Sequence, residues 1–384
     1  MTSIHANSVT IVNRNYPPHP GITGACAAEL AAFLTGKGVA VNVVHVDAPY
    51  EGKTVSASPA GEVIRVNTFY NGKNKLIRLF ANLFEGFLLI WKAKRLKAGV
   101  IICMTDPPLL NFWAALLLQR RKWILWAMDL YPEAFVAAGL VSGNNPVYRF
   151  IDRLVANRPP WHIIALGSVQ AAYLQMKYKT PVSISILPAG VLSVTAPGPV
   201  TAPPVWATRD KIILGYCGNL GEAHSPEFLY AIIDGLDHSK YHLVLSAYGV
   251  HAKKLRDYAQ GKPGVFVLPF LPAEEMRLID IHLASLKPAW ANVCVPSKVL
   301  TSICMGGAFV YFGPEQSDNW QMPKKAGWLL SQSEDFSTSI PGMFNSLTRE
   351  AINRRKQEAL QLAEDLLLEK RRAMDDIYTR IKLQ

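Results

Sequence analysis

Lys298 stands in the stretch CVPSKVLTSICMGG, from Cys294 to Gly307, and its neighbours make it a candidate for chemistry. Pro296 and Ser297 suit the first turn of a helix, and Gly306 suits its end. Read plainly, the stretch is a short helix with a start and a stop. The same start offers free N–H groups and a partial positive charge, and Lys298 adds a full one, so it also fits a phosphate. Three other stretches follow apolar, strand-like runs, where open parallel sheets bind their ligands. In NYPPHPGITGACAAEL, Gly21 and Gly24 precede a helix and would let its backbone approach an anion, although the full GxGxxG of a dinucleotide site is absent. In LGYCGNLGEAHSPEFL, Gly218 and Asn219 begin a sharp turn that ends at Gly221, and His224 follows. His224 is either a structural histidine or a contact to sugar or phosphate. In WAMDLYPEAF, Asp129 is either the N-cap of the next helix or a base that orients an acceptor hydroxyl. Glu133 reads as a solvated charge at a helix start, and His19, in a proline loop, as a surface residue.

These residues need elements to hold them. In the first half, SVTIVNRNYPP, VAVNVVHV, GVIICMT and KWILWAMD read as strands, with a helix from Ala25 to Gly36 between the first two. In the second half, DKIILGYCGNLG, YHLVLSAYG, GVFVLPFLP, Ile281 to Leu286 and Ala308 to Phe312 read as strands, with a helix from Pro226 to Leu236. Strands alternating with helices make βαβ units and a parallel sheet. The stretch LSVTAPGPVTAPPVWATR, residues 192–209, reads as a linker. The expected division is therefore a first domain over 1–191, the linker, and a second domain over 210–364. The charged helical end, 365–384, is expected to return to the first domain.

At 384 residues, half of them hydrophobic, the chain is long enough for two cores. Its net charge of +11 points to an anionic partner. Five scattered cysteines without a CxxC pair read as reduced core thiols of a cytosolic protein, not as a zinc or redox site. The first residues do not read as a signal peptide, and no run is long and apolar enough for a spanning helix. The segment from Lys73 to Lys97, KNKLIRLFANLFEGFLLIWKAKRLK, carries seven basic residues and one acid. Leu76, Phe80, Leu83, Phe87 and Ile90 form one helical stripe that would face a core. Phe84, Leu88 and Trp91 widen it, as in an interfacial helix rimmed by cations. The charge would also suit nucleic acid, but no RNA-binding motif accompanies it, so no nucleic-acid partner is expected.

Taken in order, NYPPHPGITG, GKGVAVNVV, MTDPPL, MDLYPEAF, GYCGNLGEAHSPEFL, FLPAEEMRLIDIHLASL, VPSKVLTSICMGG and GWLL resemble the GT-B glycosyltransferases, in particular the nucleotide-sugar group called family 4. The resemblance covers nearly the whole chain. It is to bacterial surface-polysaccharide transferases (exopolysaccharide, O-antigen or capsule) that extend a lipid-linked glycan. It implies an α/β protein of two Rossmann-like domains whose parallel sheets face each other across a cleft. The C-terminal domain would take a nucleoside-diphosphate sugar, expected to be a UDP-sugar, and the N-terminal domain the acceptor. Neither a cofactor nor a metal is expected. Gly21, Gly218, Asn219, Ser297 and Lys298 would hold the diphosphate, and Phe270 and Leu271 would meet the base through their main chain. The expected place of action is the inner face of the cytoplasmic membrane, with the enzyme bound peripherally to an anionic surface.

Three positions depart from the family pattern. Thr301 stands where many members carry a ribose-binding Glu, Met128 where they carry a His, and Glu222 where they carry an Arg. In place of the missing carboxylate, Trp290 and Asn292 are candidate sugar contacts. The loss of the arginine throws weight onto Lys298. Two alternatives stay open: a sugar-nucleotide epimerase of the same fold, and a nucleotide-sugar-binding protein with a weak site.

Overall fold

The computed structural model describes residues 5–18, 21–47, 58–70, 74–191 and 203–383. His19, Lys73 and residues 192–202 of the expected linker lie outside the described residues. The chain divides into two compact units, the first made of Met1–Ala189, Val293–Val295 and Glu369–Gln384, the second of Gly190–Asn292 and Pro296–Leu368.

The first unit is built on seven strands: β1 (His5–Val12), β2 (Ala40–Asp47), β3 (Glu62–Asn67), β4 (Ala98–Cys103), β5 (Lys122–Trp126), β6 (His162–Ala165) and β7 (Ser183–Ile186). They lie in the order β3-β2-β1-β4-β5-β6-β7, and every pairing is parallel. The second unit has β8 (Ile212–Asn219), β9 (Tyr241–Tyr248), β10 (Val265–Val267), β11 (Ile281–Ser285), β12 (Ala308–Phe312) and β13 (Gly327–Leu330), all parallel in the order β10-β9-β8-β11-β12-β13.

A parallel sheet covered on both faces needs strands apolar on both sides. The sequence supplies them. Val9, Ile11, Val43, Val100, Ile102 and Ile124 are fully buried in the first unit, and Leu214, Leu243, Leu245, Phe309 and Val310 in the second. In each sheet the chain winds outward one way, then crosses and winds the other. The reversal lies between β1 and β4 in the first sheet and between β8 and β11 in the second. At such switch points the loops leaving the two central strands part, and a crevice opens beyond their carboxyl ends.

Residues 203–209 close up against the second unit. Trp206 is buried with Ile213, Val244, Leu271 and Ile279, and its carbonyl lies 2.8 Å from His242 Nδ1. The helix Arg349–Lys382 belongs to the second unit at its start and to the first from Glu369 onward. Its start is tied down by Asp280, just before β11. The Asp280 carboxylate accepts the Ile213 N–H at 3.0 Å and the Lys356 ammonium at 3.1 Å, with Arg349 at 3.7 Å. Asp280→Ala removes the acceptor of a backbone N–H and of two cations, and should lower stability by about 2 kcal/mol. Calorimetric melting of the variant checks this, and an unchanged transition would contradict it.

Candidate active site

At the switch point of the second sheet the ends of β8 and β11 are joined through His224. Its Nδ1 lies 2.6 Å from the Ser285 carbonyl oxygen, at the end of β11. A carbonyl only accepts, so Nδ1 carries the proton and Nε2 is left as an acceptor. Nε2 faces the ammonium of Lys298 at 2.8 Å, and that ammonium also donates to the Asn219 carbonyl at the end of β8, at 2.7 Å. The same nitrogen stands 5.5 Å from the centre of the Tyr216 ring. His224 is held neutral, its pKa pushed down to about 3, first by burial and then by the charge of Lys298, with Lys287 and His251 adding to it.

The turn is shaped to let Lys298 through. Gly218 has φ +111°, and a Cβ there would stand 3.3 Å from Lys298 Cε. A side chain at this position would be strained by its backbone and crowd the lysine at once. Asn219 is exposed beyond it. The short helix Lys298–Cys304 begins at the lysine itself, with Ser297 before it making no side-chain cap. Seven residues sum only a small dipole, so the positive charge at this place is chiefly that of Lys298. Lys287, two residues beyond β11, is a second cation felt by His224. It escapes a search for motifs, but a lysine directly after a buried strand is a signal that could have found it.

The switch point of the first sheet gathers carboxylates instead. Asp106 follows β4, accepts a 2.5 Å hydrogen bond from Asn15 Nδ2, and lies close enough to Arg14 and Glu85 to feel their charges. Asp129 follows β5, and its backbone N–H donates to Thr105 Oγ1 at 3.0 Å. Asp129 is exposed to solvent, although protein crowds one side of it. Desolvation, and then the charge of Asp106, push its pKa up to about 6, and Asp106 is likewise raised by burial to about 6. Asp106 lies inside the MTDPPL motif, between Thr105 and two prolines, where nothing in the motif alone marks it as a site residue. Gly24 serves this corner too. A Cβ on it would stand 3.0 Å from the Asn15 carbonyl oxygen, so a glycine lets the helix Ile22–Gly36 press against the loop that holds Asp106. Gly21 is the N-cap residue of that helix, at φ +147°.

The other candidates are placed as follows. Thr301 Oγ1 donates to the Gly190 carbonyl at 3.3 Å. Trp290 closes a single turn, Pro288–Trp290, with its side chain largely buried, and Asn292 is half-buried nearby in sequence. Leu271 is a core residue and Phe270, beside it, is exposed. Glu133 corrects the sequence reading. It is not solvated but buried, held by Lys177 and by the Tyr173 hydroxyl at 3.1 Å, with Asp152 2.9 Å from Lys177. A buried carboxylate needs such a cation, and Lys177 lies too far along the chain for spacing to suggest it.

The helix Lys75–Arg95 departs from expectation at Phe80, while Ile90 is buried and Leu83 and Phe87 are half-buried, as the expected stripe requires. Glu85 is fully buried in its middle, 3.4 Å from Arg14 and accepting from Thr68 at 2.7 Å. This pairing fixes the rotation of the helix. Leu89, Ile90 and Ala93 face the core, while Phe80, expected inward, is 70% exposed along with Ile77, Leu79, Phe84 and Trp91. Among the described residues no helix is long and apolar enough to cross a membrane.

The tautomer of His224 has a direct signature. Nitrogen-15 NMR should show Nδ1–H with no titration between pH 5 and 8, since the folded pKa lies far below the ordinary value of 6.5. In Lys298→Met the pKa should rise, because a positive neighbour is gone. Stability stored in the neutral ring is present above pH 6.5 and is lost as pH falls toward 3. A wild-type ring that titrates near 6.5 would contradict the arrangement.

No family model matches the sequence. One curated protein, the probable glycosyltransferase WbjE of Pseudomonas aeruginosa, is 23% identical over 252 residues, covering 61% of this chain and 62% of its own length. Among solved structures, sucrose-phosphate synthase of Thermosynechococcus elongatus superposes with a TM-score of 0.71 at 14% identity, over 98% of this chain and 99% of that one. WaaG, a glycosyltransferase involved in lipopolysaccharide biosynthesis, gives 0.66 at 15% identity over 96% and 99%. HepE of Anabaena, in complex with UDP and glucose, gives 0.63 at 14% over 97% and 99%. Two units on parallel sheets, shared along nearly the whole length of these structures, give the chain the fold of the GT-B glycosyltransferases.

Proposed function

We propose that the chain is a glycosyltransferase that moves a sugar from a nucleoside diphosphate, UDP, to a lipid-linked glycan in bacterial surface-polysaccharide synthesis. The observation that carries the reading is Lys298 at the β8–β11 switch point, donating to the neutral acceptors Asn219 O and His224 Nε2. At that place the ammonium can meet an incoming anion. When the bond from sugar to diphosphate breaks, its electron pair goes to the phosphate oxygen, and the charge there grows. Lys298 and Lys287 meet that charge without any need for a metal, and Gly218 leaves the turn's backbone open to it. His224 then acts as a positioning residue, because both of its ring nitrogens are engaged. Asp129 is the group that receives or orients the acceptor hydroxyl. Its raised pKa places its ionisation close to working pH, as suits a base.

The acceptor side of the reading is supported by similarity and by surface. WaaG is described as involved in lipopolysaccharide biosynthesis, and HepE binds UDP and glucose. The exposed Ile77, Phe80, Phe84 and Trp91, with Lys94 and Arg95 on the same helix, offer apolar contact and positive charge to an anionic bilayer at its cytoplasmic face.

Radiolabelled sugar nucleotides, incubated with the protein and a bacterial lipid extract, test the proposal. Label should pass from UDP-sugar to lipid. Lys298→Ala should lower kcat/KM by a factor equivalent to about 2–4 kcal/mol, as for other groups that meet transition-state charge. Asp129→Asn should abolish transfer and leave UDP affinity unchanged. Conversion of the free sugar nucleotide without transfer would instead reveal an epimerase, and UDP-sugar binding without turnover would reveal a binding protein.

A further inference from the structure

The first unit contains a pocket of about 390 Å³ that none of the preceding roles uses. It lies at the start of β5 and β6, whereas Asp106 and Asp129 lie beyond the other ends of β4 and β5. A five-residue strand separates the two ends by on the order of 15 Å. The pocket is lined by Gln119, Arg121, Lys122, Trp123, Arg158 and Trp161, among others, and no acidic residue lines it.

Three cations converge here and none is neutralised by a carboxylate among the described residues. The guanidinium of Arg121 donates to the backbone carbonyls of Ala98 and, at 3.2 Å, Lys94. Carbonyls anchor the group and leave its charge standing. The Lys122 ammonium rests 5.4 Å from the centre of the Trp161 ring, which holds it in place without cancelling it. Arg158 is half-buried on the opposite segment, between the helix Pro146–Ala156 and Pro159. An anion entering this space would meet all three charges.

We propose that this pocket binds a phosphate group. Two guanidiniums and an ammonium match a dianion with several acceptor oxygens better than a carboxylate, which has one charge and two oxygens. The volume exceeds that of phosphate alone, so the group enters as part of a larger molecule whose body lies against Trp161. Phosphate of this kind is carried by lipid head groups and by soluble phosphate esters. The inference is independent of the transfer reaction, because no residue of the pocket takes part in the proposed chemistry.

The test uses the full chain carrying Lys298→Ala, so that the donor site does not report. Tryptophan fluorescence is followed during titration with inorganic phosphate at constant ionic strength, with chloride as the control. A saturable change is expected. Adding Lys122→Gln and Arg158→Gln should raise the Kd about tenfold or more, since two charge-assisted contacts are lost. Both side chains reach the surface, and an unchanged melting temperature confirms the fold. Vesicles of phosphatidylcholine with and without phosphatidic acid then separate the sources. A response to inorganic phosphate together with a change on vesicles that requires phosphatidic acid, both lost in the double substitution, assigns a head group. A response to inorganic phosphate but not to vesicles assigns a soluble ester. No saturable response to inorganic phosphate, or one of equal strength in the double substitution, overturns the proposal.

Discussion

A lysine and a histidine can share a buried corner only if the histidine stays neutral. That constraint organises the second unit. Lys298 can place its ammonium 2.8 Å from His224 because the Ser285 carbonyl accepts the one ring N–H, which leaves the Nε2 lone pair toward the lysine. Ser285 can do so because β11 ends beside β8, where the sheet reverses direction. Gly218 in turn has no side chain to block the lysine stem. Each piece is ordinary. Their conjunction at a switch point puts a fixed positive charge where a parallel sheet binds its ligands.

The first unit solves a different electrostatic problem with the same topology. Its switch point holds Asp106 and Asp129, and Arg14 divides its charge between Asp106 and the buried Glu85. Cationic help is therefore diluted, and desolvation by the surrounding protein leaves both aspartates raised to about 6. Glu85 has a second consequence. By locking the helix Lys75–Arg95 in one rotation, it turns Phe80 and Phe84 outward and produces the exposed apolar face. One buried ion pair thus bears on both the carboxylate corner and the surface proposed to meet a bilayer.

Much of the fold could be read in the sequence, because parallel strands buried on both faces leave unbroken apolar runs such as SVTIV and VIIC. The strands it concealed are short, such as β6 and β13, or carry polar residues, such as β7. In β7, Ser183 and Ser185 alternate with isoleucines and lie 2.8 and 2.9 Å from the two ring nitrogens of His162 on β6. A polar pair inside a sheet does not look like a strand until its partner is known. Lys298 was legible because a helix start and a lysine adjoin in the chain. The Glu133–Lys177 pair was not, since its two members are brought close only by folding. On the helix Lys75–Arg95 spacing alone marks the inward side at Ile90, with Leu83 and Phe87 half-buried, but it does not show that Phe80, a turn before the buried Glu85, stays exposed.

The central claim is that the Lys298 corner holds the diphosphate of the donor. A crystal structure of the full chain with UDP bound tests it most directly. The account predicts a phosphate oxygen about 3 Å from Lys298 Nζ, with His224 still bonded to Ser285 and the backbone of Gly218 facing the phosphates. UDP seated elsewhere, with Lys298 still turned to Asn219 and His224 and no phosphate oxygen within reach, would contradict it.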